Sequence, residues 1–588
     1  LLIQCHRTLH QYEDARTIAL DELSRTPDDV ALHQLLIQTK LDLGHFEQAQ
    51  ERAKAALRQC PDSAQIRVQQ ALLLPILYES PSQIERCRAA VFAGLERLEQ
   101  EISRSLEVVS QTTPAASLAE ENGPIAISPA DWLEAIAQQT NFSLSYQGYD
   151  DRPFQERYAR LIRRLVCAVY PEFTDGDRQL HRDPSLLHQR LKIGYVSSSM
   201  GPSRLGELTI GWVEHHDLQQ FQIFGYYTHA SCDALTTRFR QACDRFHHFP
   251  DRDLTTIART IANDQLDVLI FTDLGIDPLL SVLAAMRLAI VQCTSWSHPI
   301  TTGIDTIDYF LSSAAMETET SDAHYSETLV RLADIGIVFP RPALPTLPPP
   351  DTTTTPPPAS TALQASESSE SGVISTINPL HTETSQQRQQ LGLAIGKTLF
   401  LCCQSLFKYL PQEDAIWVAI AAGVPRSQLV FIAHPSPPIT QQFRQRLERS
   451  FAEQGLDFDG CAIILPRLSE ADYLRVNQCC DVFLDSFHWS GGVTTLKAIA
   501  CGLPIVTCPG ELMRSRHSAG ILHTLGITET IATTPAEYIE IAIRLAQDST
   551  WRYELRDRIM ARHDRLYGNT ACVRDLEAFA IGRIFPDR

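Results

Sequence analysis

The strongest chemical signal in the 588-residue chain lies in 481-DVFLDSFHWSGGVTTLKAIACGLPIVTCPG. An apolar strand ends at Asp485, a polar loop closes on Gly491-Gly492, and a helix is expected from about Thr494. Glycines let backbone approach a ligand, and the free N–H groups of Val493, Thr494 and Thr495 would point outward at the positive end of the helix dipole. That arrangement suits a diphosphate. The same Gly-Gly pair also serves as an ordinary helix N-cap, and the local sequence does not separate the two uses. Asp273 closes the run 267-DVLIFTD, at a strand's carboxyl end where α/β sheets bind ligands, and reads as a ligand-side carboxylate. Lys408 follows the apolar run 398-TLFLCCQS. Taken alone, it fits a surface lysine as well as a phosphate contact.

These positions need a scaffold, and two series of short apolar runs supply one. The first is 191-LKIGYVSS, 221-FQIFGYY, 267-DVLIFTD and 289-AIVQCTSW; the second is 398-TLFLCCQS, 428-QLVFIAH, 461-CAIILP, 481-DVFLDS and 504-PIVTCP. Apolar runs alternating with helix-length segments indicate parallel sheets covered on both faces. Two such sheets predict a pair of Rossmann-like domains with a cleft between them. Between the series, prolines crowd from Pro340 to Pro358, followed by Thr, Ser and Glu, a composition too poor in apolar residues to order itself.

The N-terminus repeats. Leu2, Tyr12, Glu13, Ala15, Ala19, Leu23, Pro27 and Asp28 recur as Leu36, Phe46, Glu47, Ala49, Ala53, Leu57, Pro61 and Asp62. An offset of about 34 residues, small residues in the second helix and a Pro at the turn mark tetratricopeptide repeats. Two repeats bury little core, so the array reads as the tail of a longer one. The expected organisation is α/β with an all-α N-terminus. It comprises helical repeats over 1–110, a linker and helical connector over 111–185, and a first Rossmann-like half over 186–339. A disordered insertion over 340–390, a second Rossmann-like half over 391–545 and C-terminal helices over 546–588 complete it.

Composition narrows the function classes. The chain is 44% hydrophobic and 21% charged, which excludes a disordered or collagen-like protein. A formal charge of -19 argues against nucleic acid or an anionic membrane as partner. No apolar run approaches the roughly 20 residues that span a bilayer. The 15 cysteines are scattered and odd in number, which suits free thiols in a reducing cytoplasm and offers no zinc spacing. Leu1-Leu2 lacks both an initiator Met and a charged leader, so the chain reads as trimmed, not secreted. His215-His216 and His247-His248 are expected to be solvated.

Several collinear blocks together carry a resemblance. The 34-residue repeats, 191-LKIGYVSS, 289-AIVQCTSWSHPITTGIDTIDYFLSS, 324-HYSETLVRL, 403-CQSLFKYLP, 465-LPRLSEADYL and the block 481–510 resemble the O-linked N-acetylglucosamine transferase and SPINDLY-like family, glycosyltransferase family 41. The resemblance implies a GT-B fold, inverting transfer without metal or other cofactor, and a UDP-sugar donor. The implied reaction moves N-acetylglucosamine to Ser or Thr hydroxyls of a protein or peptide held by the repeats. Lys408 matches the family lysine on the donor diphosphate, and Thr494 and Thr495 match its phosphate contacts. Gln404 and Ser405 stand beside Lys408, and Leu468 and Tyr473 fall where the family holds uracil. Trp296, His298 and the turn 301–303 match a block lining the cleft. His298 is then a catalytic candidate with Asp273, substrate-assisted proton transfer being a further option. Three positions depart from the pattern: Ser203 stands for a usual His, and Lys497 and Ala498 occupy a region where the family places a carboxylate. Serine is no base without an activator, and lysine accepts no hydrogen bond. These departures leave a second expectation, an inactive transferase homologue serving as a tetratricopeptide scaffold.

Overall fold

A computed structural model describes residues 2–111, 127–174, 189–345 and 379–586. Ala15, Ala19, Ala49 and Ala53, the small residues of the repeat, are fully buried. They lie on helices Tyr12–Arg25 and Phe46–Gln59, which pack with Leu2–Thr8 and Val30–Asp42. With only methyl groups between them, the backbones approach closely. After Pro27 and Pro61, Asp29 and Ser63 cap the next helices by accepting from Leu32 N (2.9 Å) and Ile66 N (3.3 Å). Each such cap contributes about 1 kcal/mol. The array ends in Ala64–Ala71 and the long helix Pro81–Gln111.

The expected linker splits in two. Residues 112–126 lie outside the described residues, but Pro129–Ile136 is a helix opened by a Ser128–Asp131 capping box. The connector helix Arg152–Val169 follows.

The first half is a seven-stranded sheet: β1 (Leu191–Ser197), β2 (Phe221–Tyr227), β3 (Arg245–His248), β4 (Leu266–Phe271), β5 (Ala289–Ser295), β6 (Tyr309–Ser313) and β7 (Thr328–Leu332). Its order is β3-β2-β1-β4-β5-β6-β7, and every pair is parallel. The second half holds β8 (Thr398–Cys402), β9 (Ser427–Ile432), β10 (Ala462–Leu465), β11 (Val482–Leu484) and β12 (Ile505–Val506), in the order β10-β9-β8-β11-β12, again parallel. Strand order reverses between β1 and β4 in one sheet and between β8 and β11 in the other. A crevice opens at such points beyond the carboxyl ends. The loops carrying Asp273, Lys408 and Gly491 all start there.

One hydrophobic core runs through both sheets, and a second joins the repeats and connector to the first sheet. Side chains also lock the parts together. Arg446, buried with Asp414 (2.8 Å), donates to the Tyr78 carbonyl at the end of the repeats (2.8 Å). Buried Asp151 takes Arg88 from the repeats (2.8 Å) and Arg514 from the second half (3.2 Å).

Two expectations fail here. Residues 346–378 of the proposed disordered insertion lie outside the described residues, but its last part is the helix Pro379–Gln390. Arg388 on that helix donates to the Cys479 carbonyl (2.8 Å) and pairs with Asp481 (2.9 Å), a tie made by tertiary contact and invisible in composition. His216 is not solvated. It is buried between the Tyr195 hydroxyl (2.7 Å) and Glu577 (3.1 Å), because the C-terminal helix Ala571–Ile584 leaves the second half and packs on the first. Asp575 of the same helix accepts from Ala333 N (2.7 Å).

Candidate functional site

The loop after β11 is built around a buried carboxylate. Asp485 Oδ2 accepts from Ser490 Oγ (2.6 Å) and Thr507 Oγ1 (2.8 Å), and Oδ1 accepts from Gly491 N (2.8 Å). Burial raises its pKa against these stabilising bonds. Ser490 Oγ in turn accepts from Ser518 N (2.8 Å). The turn before the helix Val493–Ala500 is therefore fixed from behind, as a preorganised anion site requires.

Gly491 is required by space. A Cβ there would stand 2.5 Å from Thr494 Oγ1 and 2.6 Å from both Gln404 Nε2 and Thr495 Oγ1. Those neighbours form a chain across the switch point: Lys408 Nζ donates to Gln404 Oε1 (2.9 Å), and Gln404 Nε2 donates to Thr494 Oγ1 (2.8 Å). Thr495 is buried and bonds Ser518 Oγ (2.7 Å). Gln404, Lys408, Gly491, Gly492, Val493, Thr494 and Thr495 thus converge, as expected. Ser405 is exposed and opens the short turn Leu406–Lys408.

Lys408 is half-buried, its ammonium 5.7 Å from the Trp489 ring centroid. Burial lowers its pKa to about 8, aided by Arg204 and opposed by Asp485 and Cys403. Trp489 continues an aromatic wall, with Tyr146 at 4.5 Å and Phe142 at 5.7 Å, that brings the connector over the loop.

Tyr473 is buried in the core, its hydroxyl 3.2 Å from Cys403 Sγ, and Leu468 is half-buried at the start of the same segment. Tyr473 thereby borders the loop after β8.

Asp273 does not present a free carboxylate. Its Oδ2 accepts from Ser198 N (3.0 Å), Ser198 Oγ (2.7 Å) and Ser199 Oγ (2.8 Å), and burial raises its pKa. It clamps the loop after β1. Ser203, further along that loop, caps the helix Arg204–Glu214 by accepting from Leu205 N (3.2 Å). His298 packs on Phe142 (4.9 Å) and leaves no room for a side chain at Gly275, where a Cβ would lie 2.6 Å from its Cε1. Burial and then Arg514 lower its pKa to about 3, so the ring is neutral, and Nε2 has no hydrogen-bond partner. Among the described residues, no hydrogen bond joins the His298 ring to the Lys408 loop.

Lys497 is turned to another task. Its buried ammonium meets Glu470 (2.6 Å) and reaches Glu207 on the first half (3.5 Å), so it bridges the halves. Ala498 is core.

Sequence reasoning missed Trp489, the connector aromatics and His517. The last is buried against the Ser490 carbonyl (3.3 Å) and the Trp296 ring (5.2 Å). Nothing in 514-RSRHSAG sets that histidine apart. Among the described residues, no group of three or more His, Cys, Asp or Glu side chains is placed to hold a metal ion, and no helix is long and apolar enough to cross a membrane.

Comparison with known proteins identifies the family and the fold. The family profile Glycosyl transferase family 41 matches residues 175–338 and 360–572. The chain is 25% identical over 415 residues to the tomato (Solanum lycopersicum) protein named Probable UDP-N-acetylglucosamine–peptide N-acetylglucosaminyltransferase SPINDLY, covering 70% of this chain and 39% of that protein. It is 30% identical over 177 residues to the UDP-N-acetylglucosamine–peptide N-acetylglucosaminyltransferase of Caenorhabditis elegans, covering 30% of this chain and 15% of the other. The chain therefore spans about two fifths or less of these relatives' lengths. A solved structure, a lysine-to-methionine mutant of Thermobaculum terrenum O-GlcNAc transferase, superposes with a TM-score of 0.64 at 22% identity, covering 99% of this chain and 96% of that one. That likeness shows the fold: helical repeats followed by a GT-B pair.

Proposed function

The chain belongs to glycosyltransferase family 41, and from that premise we propose that it transfers a sugar from a UDP-sugar to Ser or Thr hydroxyls of a protein or peptide. N-acetylglucosamine is the proposed sugar, in keeping with the activity named for the relatives. The observation that carries the reading is the linked set Lys408–Gln404–Thr494, folded around a Gly491 that no other residue can replace without displacing it. Departing UDP develops negative charge on its diphosphate. An ammonium and the free amides of Val493, Thr494 and Thr495 would stabilise that charge without a metal. Tyr473 and Leu468 are proposed to border the uracil, with Ser405 at the exposed rim.

The proposed reaction inverts the anomeric centre, because the acceptor hydroxyl attacks opposite the leaving diphosphate. Asp273 and His298 are assigned positioning work in it. The Oδ2 of Asp273 is occupied by the Ser198–Ser199 loop. An imidazole held near pKa 3 is a weak base at neutral pH. Proton transfer from the acceptor is accordingly proposed to be substrate-assisted.

The acceptor is proposed to enter along a groove between the repeats and the connector. Gln34, Gln38, Gln69, Gln138 and Gln139 line it, and their amides both donate to and accept from an extended peptide backbone. We place the protein in the cytoplasm, where its fifteen free cysteines stay reduced.

The test is calorimetric titration of UDP without divalent metal, paired with UDP release in the presence of a Ser/Thr peptide. Lys408→Ala is expected to weaken UDP binding by tenfold or more, of order 1.5–3 kcal/mol for a charge-assisted contact, with cooperative melting retained. Unchanged binding and turnover in that variant would refute the phosphate assignment.

A further inference from the structure

His517 opens the helix His517–Leu525 and is buried where the two halves meet. From the first half, the Trp296 ring lies 5.2 Å away. From its own half, the backbone of the phosphate loop runs past it: Nδ1 is 3.3 Å from the Ser490 carbonyl, and a Cβ built on Gly492 would stand 3.9 Å from Nδ1 and 4.0 Å from the Trp296 ring. Gly492 thus separates the helix Val493–Ala500 from an imidazole and an indole contributed by opposite halves.

The ring's protonation follows from these neighbours. Burial, opposed by the Ser490 carbonyl and aided by Lys408, lowers the pKa to about 4, so the imidazole is neutral. A carbonyl only accepts, which puts the single ring proton on Nδ1 and leaves Nε2 as a lone pair. That Nε2 is buried and has no hydrogen-bond partner. An unpaired buried acceptor is costly and is seldom retained without a use.

We propose that His517 is a specificity-determining residue for the donor: its Nε2 accepts a hydrogen bond from a hydroxyl or amide N–H of the sugar carried on the diphosphate at Lys408 and Gly491–Thr495. The inference rests on the reading of the protein as a UDP-sugar transferase. The sugar extends from the outer phosphate into the seam, where acceptors with a fixed tautomer select hydroxyl stereochemistry. A site built to take a hydrogen bond rejects ligands that cannot donate one. Trp296 supplies the apolar face against which the sugar ring packs.

UDP and UDP-N-acetylglucosamine are titrated calorimetrically into the unsubstituted protein, His517→Phe and His517→Gln. In His517→Phe, UDP affinity is expected to hold while affinity for the UDP-sugar falls about tenfold, the loss of one hydrogen bond to a buried acceptor. His517→Gln, whose amide oxygen restores an acceptor, recovers most of the loss. Should His517→Phe lose cooperative melting, His517→Leu replaces it with the same expectation. Equal weakening of both ligands would make the ring a support of the Ser490 loop and overturn the inference, as would no change in either. If the unsubstituted protein binds no UDP, the transferase reading falls and takes this inference with it. If UDP binds and only the sugar increment is insensitive to His517, the inference alone falls.

Discussion

If Lys408 holds the diphosphate as proposed, UDP binding titrates within reach of an ordinary buffer series. Burial lowers the lysine's pKa to about 8, so the ammonium is present below that value and is lost as pH rises through it. From about pH 7 to about pH 9, the charged fraction falls from about nine tenths to about one tenth. If the diphosphate binds only the charged form, UDP affinity falls about tenfold over that interval, worth about 1.4 kcal/mol. A phosphate ester has already lost its second proton by then, its pKa being about 6. His517 is neutral throughout, while burial pushes the Cys403 thiol up to about 12 and keeps Tyr473 protonated. The assay is calorimetric titration at four or five pH values, repeated near pH 8 in buffers of different ionisation enthalpy. Binding there should take up about half a proton, because the bound diphosphate restores the ammonium. Lys408→Arg, whose guanidinium stays charged, should bind with no such fall. A flat profile in the unsubstituted protein, or the same fall in Lys408→Arg, would refute the assignment of the ammonium to the diphosphate.

Three further outcomes follow from the loop and the seam. Gly491→Ala places a methyl within 2.5–2.6 Å of Thr494 Oγ1, Gln404 Nε2 and Thr495 Oγ1. It should cost about 1–3 kcal/mol of stability and abolish UDP binding; a melting curve and a UDP titration indistinguishable from the parent would show that the loop is slack. Lys497→Glu puts a third carboxylate beside Glu470 and Glu207, so it should lower the melting temperature and leave UDP affinity no better. A gain in affinity would mean that Lys497 obstructs the donor. In a double-mutant cycle, Lys497→Met with Glu470→Gln should give a coupling of about 0.5–1 kcal/mol, the half-exposed Glu470 keeping it near the surface range.

The fold was legible because its signals are local and repeated. Apolar runs such as 191-LKIGYVSS and 267-DVLIFTD can be buried on both faces only in a covered parallel sheet, and they became adjacent strands. The eight repeated positions of the N-terminus carried the helix pairs, since the small Ala15 and Ala49 have one obvious use. The helix Pro379–Gln390 was hidden: its anchor is Arg388 on the Cys479 carbonyl and Asp481, about ninety residues away in the chain. His216 was hidden for the same reason, its partner Glu577 lying on the last helix.

The site divides along the same line. Gly491 and Thr494 stood out in a short motif and Lys408 was singled out by the resemblance, but why Gly491 must be glycine depends on Gln404, which arrives from the other side of the switch point. Lys497 is the instructive residue. Read along its helix, it is a lysine where a carboxylate belongs, and it suggested a decayed site. In space it is a cation between Glu470 and Glu207, one carboxylate from each half. A departure that left an unpaired charge in the cleft would indicate loss of function; one that is compensated by charges on two other elements indicates a constraint. The same holds at the seam as a whole, where Trp296 meets His517, Lys497 meets Glu207, and Asp151 meets Arg514. Every one of these contacts joins segments far apart in the chain. The residues that hold this seam are those that no local pattern reveals.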